Sequence, residues 1–131
     1  MITYLIDTDW VIDFLKGKKD IVNKLSELKE KGLGISIITL LELYEGVYGS
    51  KNSEKHLKSL EDFLTVIKVI GIDEDIAKIF GKERSKLRKR GELIDNFDLI
   101  IACTCLHYKI RLLTNNIKHY KRIEGLKIGL K

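Results

Sequence analysis

The 131-residue chain contains no proline. Helices can therefore run without the breaks proline imposes, and no low-complexity linker divides the chain. Cysteine is nearly as scarce, with Cys103 and Cys105 alone present. Two apart on a predicted helix, they point to different sides and cannot pair with each other. That excludes a disulfide framework and favours a reducing, cytoplasmic setting. No apolar run reaches the roughly 18 residues of a membrane span. The opening MITYLIDTD lacks a basic region and meets an acid at Asp7, so a signal peptide is not expected. His56, His107 and His119 have no ligand spacing, which speaks against a zinc centre.

What the chain does contain is 44% hydrophobic and 33% charged residues, the balance of a soluble globular protein. Its length suits one domain, 1–131, with a single real core. Lys plus Arg number 24 against 19 Asp plus Glu, and the net charge of +5 tilts toward a polyanionic partner such as nucleic acid. Six of the nine residues in KERSKLRKR (82–90) are basic. They form either a solvated helix face or a surface for a phosphate backbone.

Apolar runs alternate with helical periodicity. Strands are expected at ITYLI (2–6), GISIIT (34–39), TVIKVI (65–70) and IRLLT (110–114), with a possible last one at LKIGL (126–130). Between them fall a short helix ending near Gly17, a helix in IVNKLSELKEKG closed by Gly32, and LLELYEGVYG capped by Thr39. HLKSLEDFL, 73–91, about 96–108, and a short helix near 116–121 follow. Nearly continuous apolar strands alternating with helices indicate an α/β fold with a mainly parallel sheet covered on both faces.

In such sheets ligands bind beyond the carboxyl ends of the strands. Asp7 ends the first strand, Glu42 lies in the helix after the second, and Asn115 and Asn116 follow the fourth. Asp98 opens the greasy helix of LIDNFDLIIACTC (93–105). Carboxylates gathered on one rim repel one another and raise each other's pKa values. A hard divalent cation relieves that repulsion, and an all-oxygen set suits Mg²⁺ or Mn²⁺. Each acid also has a local alternative. Asp7 and Asp9 could be turn or cap residues, and Glu42 the far end of a capping box with Thr39, although L-L-E-L makes an unpaired charge there costly. In D-x-x-D, Asp95 reads as the cap and Asp98 as the residue at the third helical position.

Together LIDTDWVIDFL, ISIITLLELYEGV and NFDLIIACTCLHYKIRLLTNNIKHYKRIEGLKI resemble a PIN domain, and more narrowly the VapC-type toxin ribonucleases of bacterial and archaeal toxin–antitoxin pairs. The three blocks span essentially the whole chain in register. The resemblance implies a three-layer α/β/α sandwich and a Mg²⁺/Mn²⁺-dependent endoribonuclease. It further implies that Asp7 and Asp98 hold the metal directly, that Glu42 does so directly or through water, and that Asn116 and Thr8 orient water or phosphate. Thr114 precedes the asparagine as a supporting residue, and Asp95 is the candidate cap beside the site. An RNA substrate, a VapB-type antitoxin and a homodimer are the implied partners, without a membrane. Two rivals remain open. One is a non-catalytic PIN-like RNA-binding module. The other is a haloacid-dehalogenase-like phosphatase with Asp7 as nucleophile, for which the further motifs are wanting.

Overall fold

The computed structural model describes residues 1–130. Four short strands form the sheet: β1 (Tyr4–Ile6), β2 (Leu33–Ser36), β3 (Lys68–Ile70) and β4 (Arg111–Leu113). Their order is β3-β2-β1-β4, with every pairing parallel. Helices α1 (Thr8–Leu15) and α2 (Lys19–Leu28) connect β1 to β2. Next come α3 (Ile37–Tyr48) and α4 (Ser53–Leu64), then β3. The return path uses α5 (Glu74–Lys89) and α6 (Asn96–Tyr108) before β4, and α7 (Ile117–Tyr120) follows.

Alternation along the strands divides the interior in two. Tyr4, Ile6, Ile35 and Leu113 pack against α1 to α4, whereas Leu5 and Leu112 pack against α5 and α6. The result is the expected helix–sheet–helix sandwich. Helix α6 carries the burden on its face, since Leu99 and the run Ile101–Cys105 are buried on all sides. Its one polar member there, Thr104, donates its hydroxyl proton to the Ile100 carbonyl at 2.9 Å. Both cysteines are free and buried within it, and burial pushes the Cys103 thiol up to about 12. Neither is poised to react.

The chain departs from the sequence-based expectation in three places. Helix α3 begins at Ile37 rather than beyond Thr39, because Ser36 caps it by accepting from the Ile38 amide at 3.0 Å. Ile37, Ile38 and Thr39 belong to the helix despite their β-branching, so the Thr39–Glu42 capping box does not form. Helix α2 stops at Leu28, and a 3₁₀ turn over Lys29–Lys31 leads to Gly32. Gly32 has φ +90°, and a Cβ there would stand 1.9 Å from the Met1 carbonyl oxygen, so only glycine fits. Finally, 126–130 supplies one bridge, Leu112 to Ile128, instead of a fifth strand. Gly129 turns the chain at φ +80°, and the Arg111 guanidinium takes up the carbonyls of Ile128, Gly129 and Leu130.

In the order 3-2-1-4 the chain leaves β1 toward one edge and returns on its other side at β4. The crevice beyond the carboxyl ends of β1 and β4 is therefore the topological switch point, where such folds bind ligands.

Candidate metal centre

Asp7 stands at that switch point. Its amide donates to the Leu113 carbonyl at 2.9 Å, extending the β1–β4 pairing by one residue. Extended backbone (φ −71°, ψ 159°) makes it the N-cap of α1. Oδ1 accepts from the Thr8 amide at 2.9 Å, and Oδ2 accepts from the Thr114 hydroxyl at 2.7 Å. The residue is 6% exposed. Burial raises its pKa to about 6; repulsion from Asp9 and Asp98 adds to this, and the bonds from Thr114 and Thr8 oppose it.

Two further acids face the same place. Thr8, the first residue of α1, donates its hydroxyl to Glu42 Oε1 at 2.6 Å, and the Thr8 and Thr39 hydroxyls are 3.1 Å apart. Half-buried Glu42, more than one turn into α3, is thereby tied to the start of α1. Asp98 occupies the third position of α6 and is also half-buried. Its pKa is raised, first by burial and then by Asp95, with Glu42 adding further repulsion and Tyr120 and His119 opposing. Asp7 feels Asp98, and Asp98 feels Glu42. The three predicted acids share one rim.

Asp95 behaves as a cap. It accepts from the amides of Phe97 at 3.0 Å and Asp98 at 3.4 Å, and it is exposed. Asn116 lies on the rim by its backbone, donating its amide to the Thr114 hydroxyl oxygen at 3.0 Å. Its side-chain nitrogen instead sits 3.0 Å from His119 Nδ1. Thr114 thus links Asp7 to the loop after β4. In the basic segment, Arg84 donates to the Asn96 side chain at 2.9 Å, which sets one guanidinium beside the start of α6. Lys86 pairs with Glu83 and Arg90 with Glu92.

The sequence reading missed two features, although it named Asp9 and Asn115 individually. Asp9, Asn115, Trp10 and Asp13 form a brace across the switch point. Asp9 accepts from the Asn115 amide at 2.9 Å, and the Asn115 side chain accepts from the Trp10 indole at 3.0 Å while reaching Asp13 at 3.5 Å. An acid three residues past a strand carries no sequence mark of such a role. The second is Tyr120, whose ring is fully buried and whose hydroxyl looks onto Asp7 and Asp98. Burial beside these two carboxylates pushes its pKa upward, so the hydroxyl keeps its proton. A tyrosine in a four-residue helix reads like any surface aromatic.

The oxygens of Asp7, Glu42 and Asp98 are not drawn into one tight cluster. Among the described residues, the acid or histidine group with ligating atoms mutually within 4.8 Å is Asp73, Asp75 and His107. That trio is largely exposed, and Asp73 already caps α5 by accepting from the Ile76 amide at 3.0 Å. His107 stands nine residues beyond Asp98 on α6, about 14 Å along the helix. A looser all-oxygen set suits Mg²⁺, which keeps several of its waters and needs only one or two protein carboxylates.

Comparison with known proteins identifies the family of the chain. The family described as PIN domain matches residues 4–126. "Ribonuclease VapC1" of Haemophilus influenzae is 35% identical over 94% of this chain and 93% of its own length. "Ribonuclease VapC1" of Methanocaldococcus jannaschii is 39% identical over 95% and 85%. Among solved structures, VapBC2 from Rickettsia felis bound to a DNA fragment from its promoter superposes with a TM-score of 0.92. It shares 33% identity and covers 98% of both chains.

Proposed function

Because the chain belongs to the PIN domain family, we propose that it is a divalent-cation-dependent endoribonuclease of the VapC type, the toxin of a toxin–antitoxin pair. The observation that carries the reading is Asp7. This buried carboxylate, its pKa raised to about 6, faces Asp98 across the switch point. Its charge is costly in the folded protein unless a cation meets it. The donor set is all oxygen, which favours Mg²⁺, with Mn²⁺ as substitute.

Asp7 and Asp98 would hold the cation, with Glu42 joining directly or through water. Thr114 and Thr8 keep these carboxylates aimed, the first by donating to Asp7 and the second by donating to Glu42. The bound cation supplies Lewis-acid chemistry, neutralising charge on the scissile phosphate and acidifying the attacking water. Asn116, half-exposed on the rim, is suited to orient a water or a phosphate oxygen. Arg84 and exposed basic neighbours such as Lys82 and Arg88 offer charge for the RNA backbone, with a corresponding salt dependence. The brace through Asn115 fixes the loop that presents Thr114.

A VapB-type antitoxin and a second copy of the chain are the proposed protein partners. Leu41 and Tyr48 on α3 are 53% and 67% exposed, and Tyr48 stacks on Tyr44, which leaves apolar surface that the core does not use. No helix among the described residues is long and apolar enough to cross a membrane, and the free, buried cysteines support a cytoplasmic setting as part of this proposal.

The deciding experiment is cleavage of RNA by the pure protein with Mg²⁺, Mn²⁺ or EDTA, alongside Asp7→Asn prepared identically. Cleavage that needs the metal and vanishes in the variant supports the assignment. RNA binding without cleavage in any metal returns the protein to the non-catalytic alternative.

A further inference from the structure

We infer that Tyr120 is a positioning residue of this cation site, its hydroxyl setting the Asp98 carboxylate opposite Asp7 from the protein side. The inference rests on the reading of those acids as ligands. Among the described residues, the Tyr120 hydroxyl is the one buried side-chain polar atom without a hydrogen-bond partner. Asp7 and Asp98 lie beside it, though neither meets it at hydrogen-bonding geometry. A buried hydroxyl is not left idle without cost, and this one looks at two groups that can only accept.

One hydroxyl carries one proton, so it serves one carboxylate at a time. Both oxygens of Asp7 already accept, one from the Thr8 amide and one from the Thr114 hydroxyl. No side-chain hydrogen bond to the Asp98 carboxylate meets full geometry among the described residues, and the Tyr120 hydroxyl is the donor set beside it. With one donor already on each Asp7 oxygen and none on Asp98, the greater need for the Tyr120 proton lies with Asp98. Its ring is anchored in the core that α6 forms with the sheet, so the hydroxyl is held from behind. Complete burial bars it from touching RNA or bulk water, so its influence passes through the carboxylate. The expected signature is an effect on cation affinity rather than on turnover once the cation is bound.

The test is calorimetric titration of the metal-free full chain with Mn²⁺, comparing wild type, Tyr120→Phe and Asp98→Asn. Tyr120→Phe should bind Mn²⁺ about tenfold more weakly, in line with the loss of an outer partner of a metal ligand. Its melting temperature in EDTA should hold, and its RNA cleavage should recover when Mn²⁺ is raised by a similar factor. Equal or tighter Mn²⁺ binding by Tyr120→Phe, with Asp98→Asn impaired, overturns the role of Tyr120 and leaves the metal site standing. A wild type that binds no Mn²⁺ overturns both. Should Tyr120→Phe fail to fold, the Tyr120 hydroxyl proton in the wild type supplies the answer by NMR. A downfield shift on adding Mg²⁺ supports the inference, and an unmoved resonance overturns it.

Discussion

Asp7 and Asp95 perform the same local task in opposite surroundings. Each follows non-helical backbone and caps a helix, Asp7 for α1 and Asp95 for α6. Asp95 does so exposed to water, where its charge serves the cap and also repels Asp98. Asp7 does so between two parallel strands, with β4 alongside and Asp98 opposite, and its pKa climbs to about 6. Held ionised at neutral pH, that shift costs the metal-free fold on the order of 3 kcal/mol. The same side chain is a solvated cap at one helix start and a stored demand for positive charge at the other. What separates them is solvent, not local geometry.

The sharpest way to break this comparison is to remove charge at each cap and at Asp98. Asp7→Asn and Asp98→Asn should each lower metal-dependent RNA cleavage by about a hundredfold or more. Asp95→Asn should stay within about twofold, since asparagine caps as well as aspartate. Inactivity of Asp95→Asn matching that of Asp98→Asn would mean that both carboxylates serve the site.

Next in size is the pH dependence of stability. Asp7 has a folded pKa of about 6, above its ordinary value of 3.8, so the folded state takes up the proton first. As pH falls through about 6 toward about 4, the metal-free protein should gain up to about 3 kcal/mol relative to Asp7→Asn, which has no proton to bind there. Above pH 6 that contribution is lost. Urea unfolding of both proteins in EDTA across this range measures the difference directly. Added Mn²⁺ should flatten it, because a bound cation favours the ionised carboxylate. Parallel profiles in EDTA would show that Asp7 is no more burdened than Asp95.

The smallest effect belongs to the exposed cap. Asp95→Ala should cost about 1 kcal/mol of stability through the lost cap and leave cleavage near wild type. A loss of several kcal/mol in the same denaturation experiment would show that Asp95 does more than start α6.

Much of the architecture was legible because strands buried on both faces write themselves as continuous apolar runs. The span of α6 was readable from Asp95 onward for the same reason, with its cap and first turn separable by spacing alone. The start of α3 was not. Ile-Ile-Thr suits a strand or a buried helix equally, and a buried serine cap settled the matter through tertiary context. The stretch 126–130 resembled a strand, yet Gly129 and the Arg111 side chain spend its backbone groups in a turn. Asp7, Glu42 and Asp98 stood out as acids beside apolar runs, but only the resemblance to PIN domains singled them out as a set. The Asn115 brace could not be read, since its partners lie about a hundred residues away, nor could Tyr120, whose hydroxyl comes beside Asp98 only once α6 and α7 pack together.

The insertion of β4 beside β1 has a consequence for the order in which the molecule is made. Residues 7, 42 and 98 are all synthesised before residue 114, but the neighbour that bonds Asp7 arrives only with β4. The Asp7–Thr114 contact spans 107 positions, so its closure must await nearly the whole polypeptide. A nascent chain short of β4 carries the acids without the strand that aligns them. The last strand to emerge is in this way the one that completes the setting of Asp7.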